Sequence, residues 1–212
     1  MALEHLIFPS GDLGCNTVLF WCSKTREGIL VDPGGEPEEI LGILADQGVA
    51  LRAIVLTHAH PDNLLAVPYL REETVCDVML HRGDQELWEG MDELCKEFGF
   101  PVPELGDVDE WLQEGVAVQF GRESVGVLHL PGHSPGHCGF VADSLDLVLC
   151  GDCCFAGGTG RTDLPRGDDN DQASSLDRLQ ALEERWTLVP GHGPSFRPKD
   201  LPRIRQRVST GI

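Results

Sequence analysis

Leu56-Thr57-His58-Ala59-His60-Pro61-Asp62-Asn63 is the stretch on which the reading of this chain turns. It follows an apolar run, Ala53-Ile54-Val55-Leu56, with the length and composition of a buried strand. A turn then delivers two imidazoles and a carboxylate within five residues, donors that borderline and harder metals accept. His-x-His on an extended or tightly turned backbone can aim both rings at one ion. Alone, such a pair also reads as a solvated turn. Three further candidates, each after a short apolar strand, shift the balance. They are His133 in Pro131-Gly132-His133-Ser134-Pro135-Gly136-His137, Asp152 in Cys150-Gly151-Asp152, and His192 in Pro190-Gly191-His192-Gly193-Pro194. Gly or Pro beside a metal-type donor at successive strand ends predicts a metal site.

Outward from these loops, 212 residues suggest one domain over 1–212, large enough to bury a core without staples. Met1-Ala2-Leu3-Glu4-His5 lacks the basic start of a signal peptide, and no apolar run reaches membrane-spanning length. A soluble, cytoplasmic protein is expected. The net charge is −19, and lysine occurs only at Lys24, Lys96 and Lys199. This disfavours nucleic acid, which needs positive charge. The expected partner is a small-molecule substrate, with no nucleic acid and no membrane; the oligomeric state is not legible. Such acidity is compatible with a high-salt environment or with a well-solvated surface. The eight cysteines are scattered, and most sit in expected strands or helices as small apolar residues. Cys153 and Cys154 are close enough to Asp152 to line the metal pocket.

Strands are expected at 3–8, 15–23 and 28–31, with Asn16 fixing the turn Ser10 to Gly14. Asp32, after the third strand, reads as a turn residue or as an acceptor orienting a ligand histidine. Pro37 opens a helix that Gly48 ends. Another helix spans Asn63 to Glu72, despite Pro68, and a strand spans Thr74 to Leu80. The stripe Leu87, Trp88, Met91, Leu94, Cys95 and Phe98 predicts one helix over 85–98, packed into the core. Strands follow near 116–120, 124–130, 138–142 and 146–151, then a long Gly- and Asp-rich loop from Cys153 to Asn170. Helices near 172–184 and 198–208 flank a last strand near 186–189. Helices and strands interspersed in both halves give the α/β class.

His58-x-His60-x-Asp62, Gly132-His133, Gly151-Asp152 and Gly191-His192 together resemble the metallo-β-lactamase superfamily, in its order and over nearly the whole chain. The resemblance implies an αββα four-layer sandwich. Gly158 to Asp168 and Pro190 to Pro194 look like the short glyoxalase-II-like (hydroxyacylglutathione hydrolase-like) subgroup. Only about twenty residues follow His192, so the carboxy-terminal domain that grips glutathione in full-length glyoxalase II is expected to be missing. The family pattern ends in Asp-His, whereas this chain has Asp62-Asn63. The resemblance thus implies a first metal on His58, His60 and His133, with Asp152 bridging. A second would rest on Asp62, Asp152 and His192, without its usual histidine. Zinc is the expected ion, with iron and manganese compatible. One tightly bound metal and a weak or empty second site are expected.

The implied activity is hydrolysis of a thioester such as S-D-lactoylglutathione. Metal lowers the pKa of a bound water towards ~7 and provides the attacking hydroxide. Asp62, if released from second-metal duty, would orient or deprotonate that water. Arg161 and Arg166 are candidates to bind a substrate carboxylate, or to hold the loop by pairing with Asp163, Asp168 or Asp169. Asn63 and Asp32 would act from behind the ligands. His81, His129 and His137 read as local packing or hydrogen-bonding residues. Two alternatives stay open. One is a mononuclear iron persulfide dioxygenase on the same fold, its ligands corresponding to His58, His133 and Asp152. The other is a degenerate, metal-stabilised binding domain, for which Asn63 is the only support.

Overall fold

The computed structural model describes residues 2–208. The chain runs β1 (Leu3–Ser10), β2 (Cys15–Cys22), β3 (Glu27–Val31), α1 (Pro37–Gln47), β4 (Ala50–Val55), α2 (Val67–Thr74) and β5 (Asp77–His81). It continues through α3 (Gln85–Glu89), α4 (Met91–Phe98), β6 (Glu110–Leu112), β7 (Ala117–Phe120), β8 (Glu123–His129), β9 (Cys138–Ala142) and β10 (Leu147–Gly151). A small hairpin, β11 (Cys154–Phe155) and β12 (Gly158–Thr159), precedes α5 (Asp169–Gln180), β13 (Thr187–Pro190) and α6 (Leu201–Val208).

Two sheets form, one in the order β1-β2-β3-β4-β5-β6 and the other β13-β10-β9-β8-β7. β2, β3 and β10 are buried on both faces, so their alternate side chains feed different cores. Val18, Phe20, Ile29 and Val31 of the first sheet meet Phe140, Leu147 and Leu149 of the second between the sheets. Their sequence neighbours Leu19 and Leu30 turn the other way, onto Ile40 and Leu44 of α1 and Leu70 of α2. Val148 and Cys150 face outward onto Leu176 and Leu179 of α5 and Ile204 of α6. Helix, sheet, sheet and helix stack as four layers, as the resemblance implies.

Strand direction decides where the site lies. β3 and β4 run parallel, as do β10 and β13, and β8 runs with β10 because both are antiparallel to β9. Their carboxyl ends therefore gather on one rim of the sandwich.

Several elements differ from expectation. The helix expected over 63–72 is a 3-10 turn, Pro61–Asn63, followed by α2. Pro68 falls in the first turn of α2, where its missing N–H is not needed, so the helix starts beside the proline and does not run through it. The helix over 85–98 is broken at Gly90, a poor helix residue, into α3 and α4. The loop from Cys153 carries the β11–β12 hairpin. Among the described residues no helix is long and apolar enough to cross a membrane. The eight cysteines are buried free thiols; Cys153 and Cys154 pack under α5 and not in the metal pocket.

Candidate metal centre

The loop after β4 carries His58, His60 and Asp62; those after β8, β10 and β13 carry His133, Asp152 and His192. They converge as two groups that can hold metal. One ligand atom from each of His58, His60 and His133 lies within 4.8 Å of the others, and so do atoms of Asp62, Asp152 and His192. His60 Nδ1 faces His133 Nε2 at 2.9 Å. Asp152 stands between the groups, its Oδ2 3.7 Å from His133 Nε2 and 3.9 Å from His192 Nε2. Gly191 makes this crossing possible, because a Cβ there would overlap Asp152 Oδ1. Gly132, at φ 137°, turns the His133 loop where a Cβ would strike the backbone of Gln172.

Neighbouring acceptors fix the rings. Arg161 O lies 2.7 Å from His133 Nδ1, and a carbonyl can only accept, so Nδ1 carries the proton and the Nε2 lone pair faces the cluster. Asp32 accepts from Thr57 N at 2.8 Å and from Thr57 Oγ1 at 2.7 Å. Thr57 Oγ1 in turn accepts from His58 Nδ1 at 2.9 Å, so Asp32 orients His58 through one intervening hydroxyl. Asn63 Nδ2 lies 2.9 Å from His58 Nε2, while its Oδ1 accepts from the Cys15 thiol at 3.1 Å.

The first group is held neutral. Burial lowers the pKa of His58 well below the ordinary histidine value, and it lowers His60 to about 3 and His133 more modestly. The second group begins as an ion pair, His192 Nε2 donating to Asp62 Oδ2 at 3.0 Å. That bond raises His192 to about 9. Burial alone would raise Asp62, but the bond to His192 and its charge outweigh burial and hold it below the usual carboxylate range. Burial pushes Asp152 and Asp32 up to about 7. His60 Nε2 and Asp152 Oδ1 are buried without a protein partner. Neutral imidazoles converging beside an unpartnered buried carboxylate oxygen are a donor set suited to a divalent metal.

Not every expected residue serves as read from the sequence. Arg161 lines the pocket, but its guanidinium is bound by Asp163 at 2.8 Å, and its backbone carbonyl orients His133. Arg166 pairs with Glu86 and is not among the side chains lining the pocket. Asn16 does not fix the first hairpin turn. Its Nδ2 donates to Pro190 O and Gly193 O, holding the His192 loop. His129 bonds Pro135 O and stacks on His81, as local residues do. His137 packs 5.1 Å from the His58 ring, with neither ring nitrogen hydrogen-bonded.

Sequence reasoning missed Asp84. Fully buried, it accepts from Ala59 N at 3.0 Å, Ser134 Oγ at 2.7 Å and Gly136 N, so one carboxylate ties the His58–His60 loop to the His133 loop. Only its position after an expected strand could have hinted at this. Also missed was the pocket above the donors, about 270 Å³, walled by Leu13, Phe98, Phe100, Phe155 and Leu164. Phe98, expected in the core, stands at its mouth.

Comparison with known proteins agrees with this geometry. The chain is 33% identical over 190 residues to hydroxyacylglutathione hydrolase GloC of Haemophilus influenzae, covering 88% of this chain and 89% of that protein. The solved structure of TTHA1623 in a di-iron-bound form is 38% identical, with a TM-score of 0.83 over 94% of this chain and 98% of that one. BLEG-1 B3 metallo-beta-lactamase is 28% identical, with a TM-score of 0.85 over 93% and 95%. Residues 10–192 match the family described as the metallo-beta-lactamase superfamily. The chain belongs to that superfamily.

Proposed function

We propose that this chain is a metal-dependent hydrolase cleaving a thioester. The observation that carries the reading is the pair of donor groups side by side on the floor of one pocket. His58, His60 and His133 would hold the first metal, with Asp152 bridging to a second held by Asp62 and His192. Zinc suits these donors, as do iron and manganese. When bound, such an ion supplies Lewis acidity and a water acidic enough to ionise near neutral pH.

The chain's own groups do the rest. With the second site empty, Asp62, ionised at neutral pH, would orient or deprotonate the attacking water. In the reaction a carbonyl C–O bond forms and the C–S bond breaks. The sulfur leaves as thiolate, which needs no strong acid because free thiols titrate near ~8.5. Apolar walls line the approach to the reacting carbonyl. A weak second site follows from two features. His192 must give up its proton before it can ligate. The residue after Asp62 offers only a neutral amide oxygen, already engaged by Cys15.

The test is hydrolysis of S-D-lactoylglutathione and simpler thioesters by metal-replete protein, beside Asp152→Ala. Turnover that falls at least about a hundredfold in the variant supports the reading. Absence of turnover on any thioester, with metal demonstrably bound, overturns it. One observation keeps a second reading in view. His58, His133 and the partly unpartnered Asp152 form a two-histidine, one-carboxylate set of the kind ferrous dioxygenases use. Oxygen uptake with glutathione persulfide would favour that reading.

A further inference from the structure

We infer that the substrate of this site is an uncharged, apolar thioester, and that a glutathione thioester is the poorer substrate. The inference rests on the hydrolase reading for its reaction and on the pocket walls for its selectivity. Five large apolar side chains from separate segments converge on the pocket. Leu13 comes from the β1–β2 turn, Phe98 and Phe100 from the end of α4 and beyond, Phe155 from β11, and Leu164 from the long loop. Leu13 and Phe98 remain 60% and 42% exposed, on a chain whose net charge is −19. Contiguous exposed apolar side chains at the mouth of a pocket mark a binding surface for an apolar ligand.

The arginine among the described residues that line the pocket already has an anionic partner. Arg161, the lysine or arginine that lines the pocket, gives two hydrogen bonds to Asp163. Arg166 is paired with Glu86. Glutathione bears more carboxylates than ammonium groups, so it would approach this acidic molecule against its field. The volume, about 270 Å³, lies at the small end of the ~300–1,000 Å³ usual for ligand pockets. It suits a compact apolar group better than an extended tripeptide.

The S-acetyl thioesters of benzyl mercaptan and of glutathione, offered to zinc-loaded protein, separate the two chemistries. The expected kcat/KM is at least about tenfold higher for the benzyl thioester. Phe98→Asp and Leu13→Asp are each expected to lower that value about tenfold, mainly through KM. Both side chains face water at the mouth, so neither change threatens the core. An equal or higher kcat/KM for the glutathione thioester overturns the inference and leaves the hydrolase reading intact. Calorimetric binding of the two free thiols gives a readout independent of turnover. Tighter binding of benzyl mercaptan, weakened by Phe98→Asp, supports the inference, and equal or tighter binding of glutathione overturns it. If no thioester is cleaved by protein shown to hold metal, the hydrolase reading falls and the inference falls with it.

Discussion

Asn63 interposes a neutral amide between His58 and the Cys15 thiol, where the family pattern has a second-site ligand. Asn63→His is expected to raise the metal retained after exhaustive dialysis from about one ion to about two per chain, read by elemental analysis. His137 offers a test of pH dependence. Burial depresses its folded pKa far below the unfolded value of about 6.5, so below that pH the unfolded state binds the extra proton. Stability from this residue is complete above about pH 6.5 and is lost as pH falls. Asp32 and Asp152, raised by burial to about 7, act with the opposite sign, so only a comparison isolates the histidine. Between pH 7.5 and 5.5 the metal-free wild type should lose about 1.4 kcal/mol more than metal-free His137→Leu, measured by urea unfolding. At this scale the donors were legible because each lies in a short motif directly after a strand. Asp84 was not, since its role depends on loops distant in sequence meeting around it.

The elements follow local rules where the rules are strong. α5 begins at Asp168, whose Oδ1 accepts from Asn170 N at 2.8 Å and Asp171 N at 2.9 Å. Asp168→Ala should cost about 1 kcal/mol in chemical denaturation, the usual worth of such a cap. Pro37 and Gly48 mark the ends of α1 as read from sequence. The helix over 85–98 shows where periodicity stops informing. Its apolar stripe runs unbroken through Gly90, so the break between α3 and α4 left no mark in the pattern. The same stripe placed Phe98 in the core, because spacing says which face is apolar and not what that face meets. Here the last residue of the stripe overhangs the pocket. β6, three residues at the edge of its sheet, was too short to register.

At the scale of the whole molecule, the layered architecture was legible from interspersed helices and strands and from the ordered motifs. The convergence of five apolar side chains on one mouth was not, because it is a property of the assembled fold. A net charge of −19 repels itself across the surface. Raising salt from about 0.05 M to about 1 M shortens the screening length to roughly 3 Å and should raise the melting temperature in calorimetry. An unchanged or lower value would count against an acidic surface suited to high salt. Asp84 gives the sandwich a further property. Its bonds to Ala59, Ser134 and Gly136 join a loop of one sheet to a loop of the other at the site itself. Sliding of one sheet across its partner would break those bonds, so shear between the two halves would register directly in the spacing of the two histidine loops.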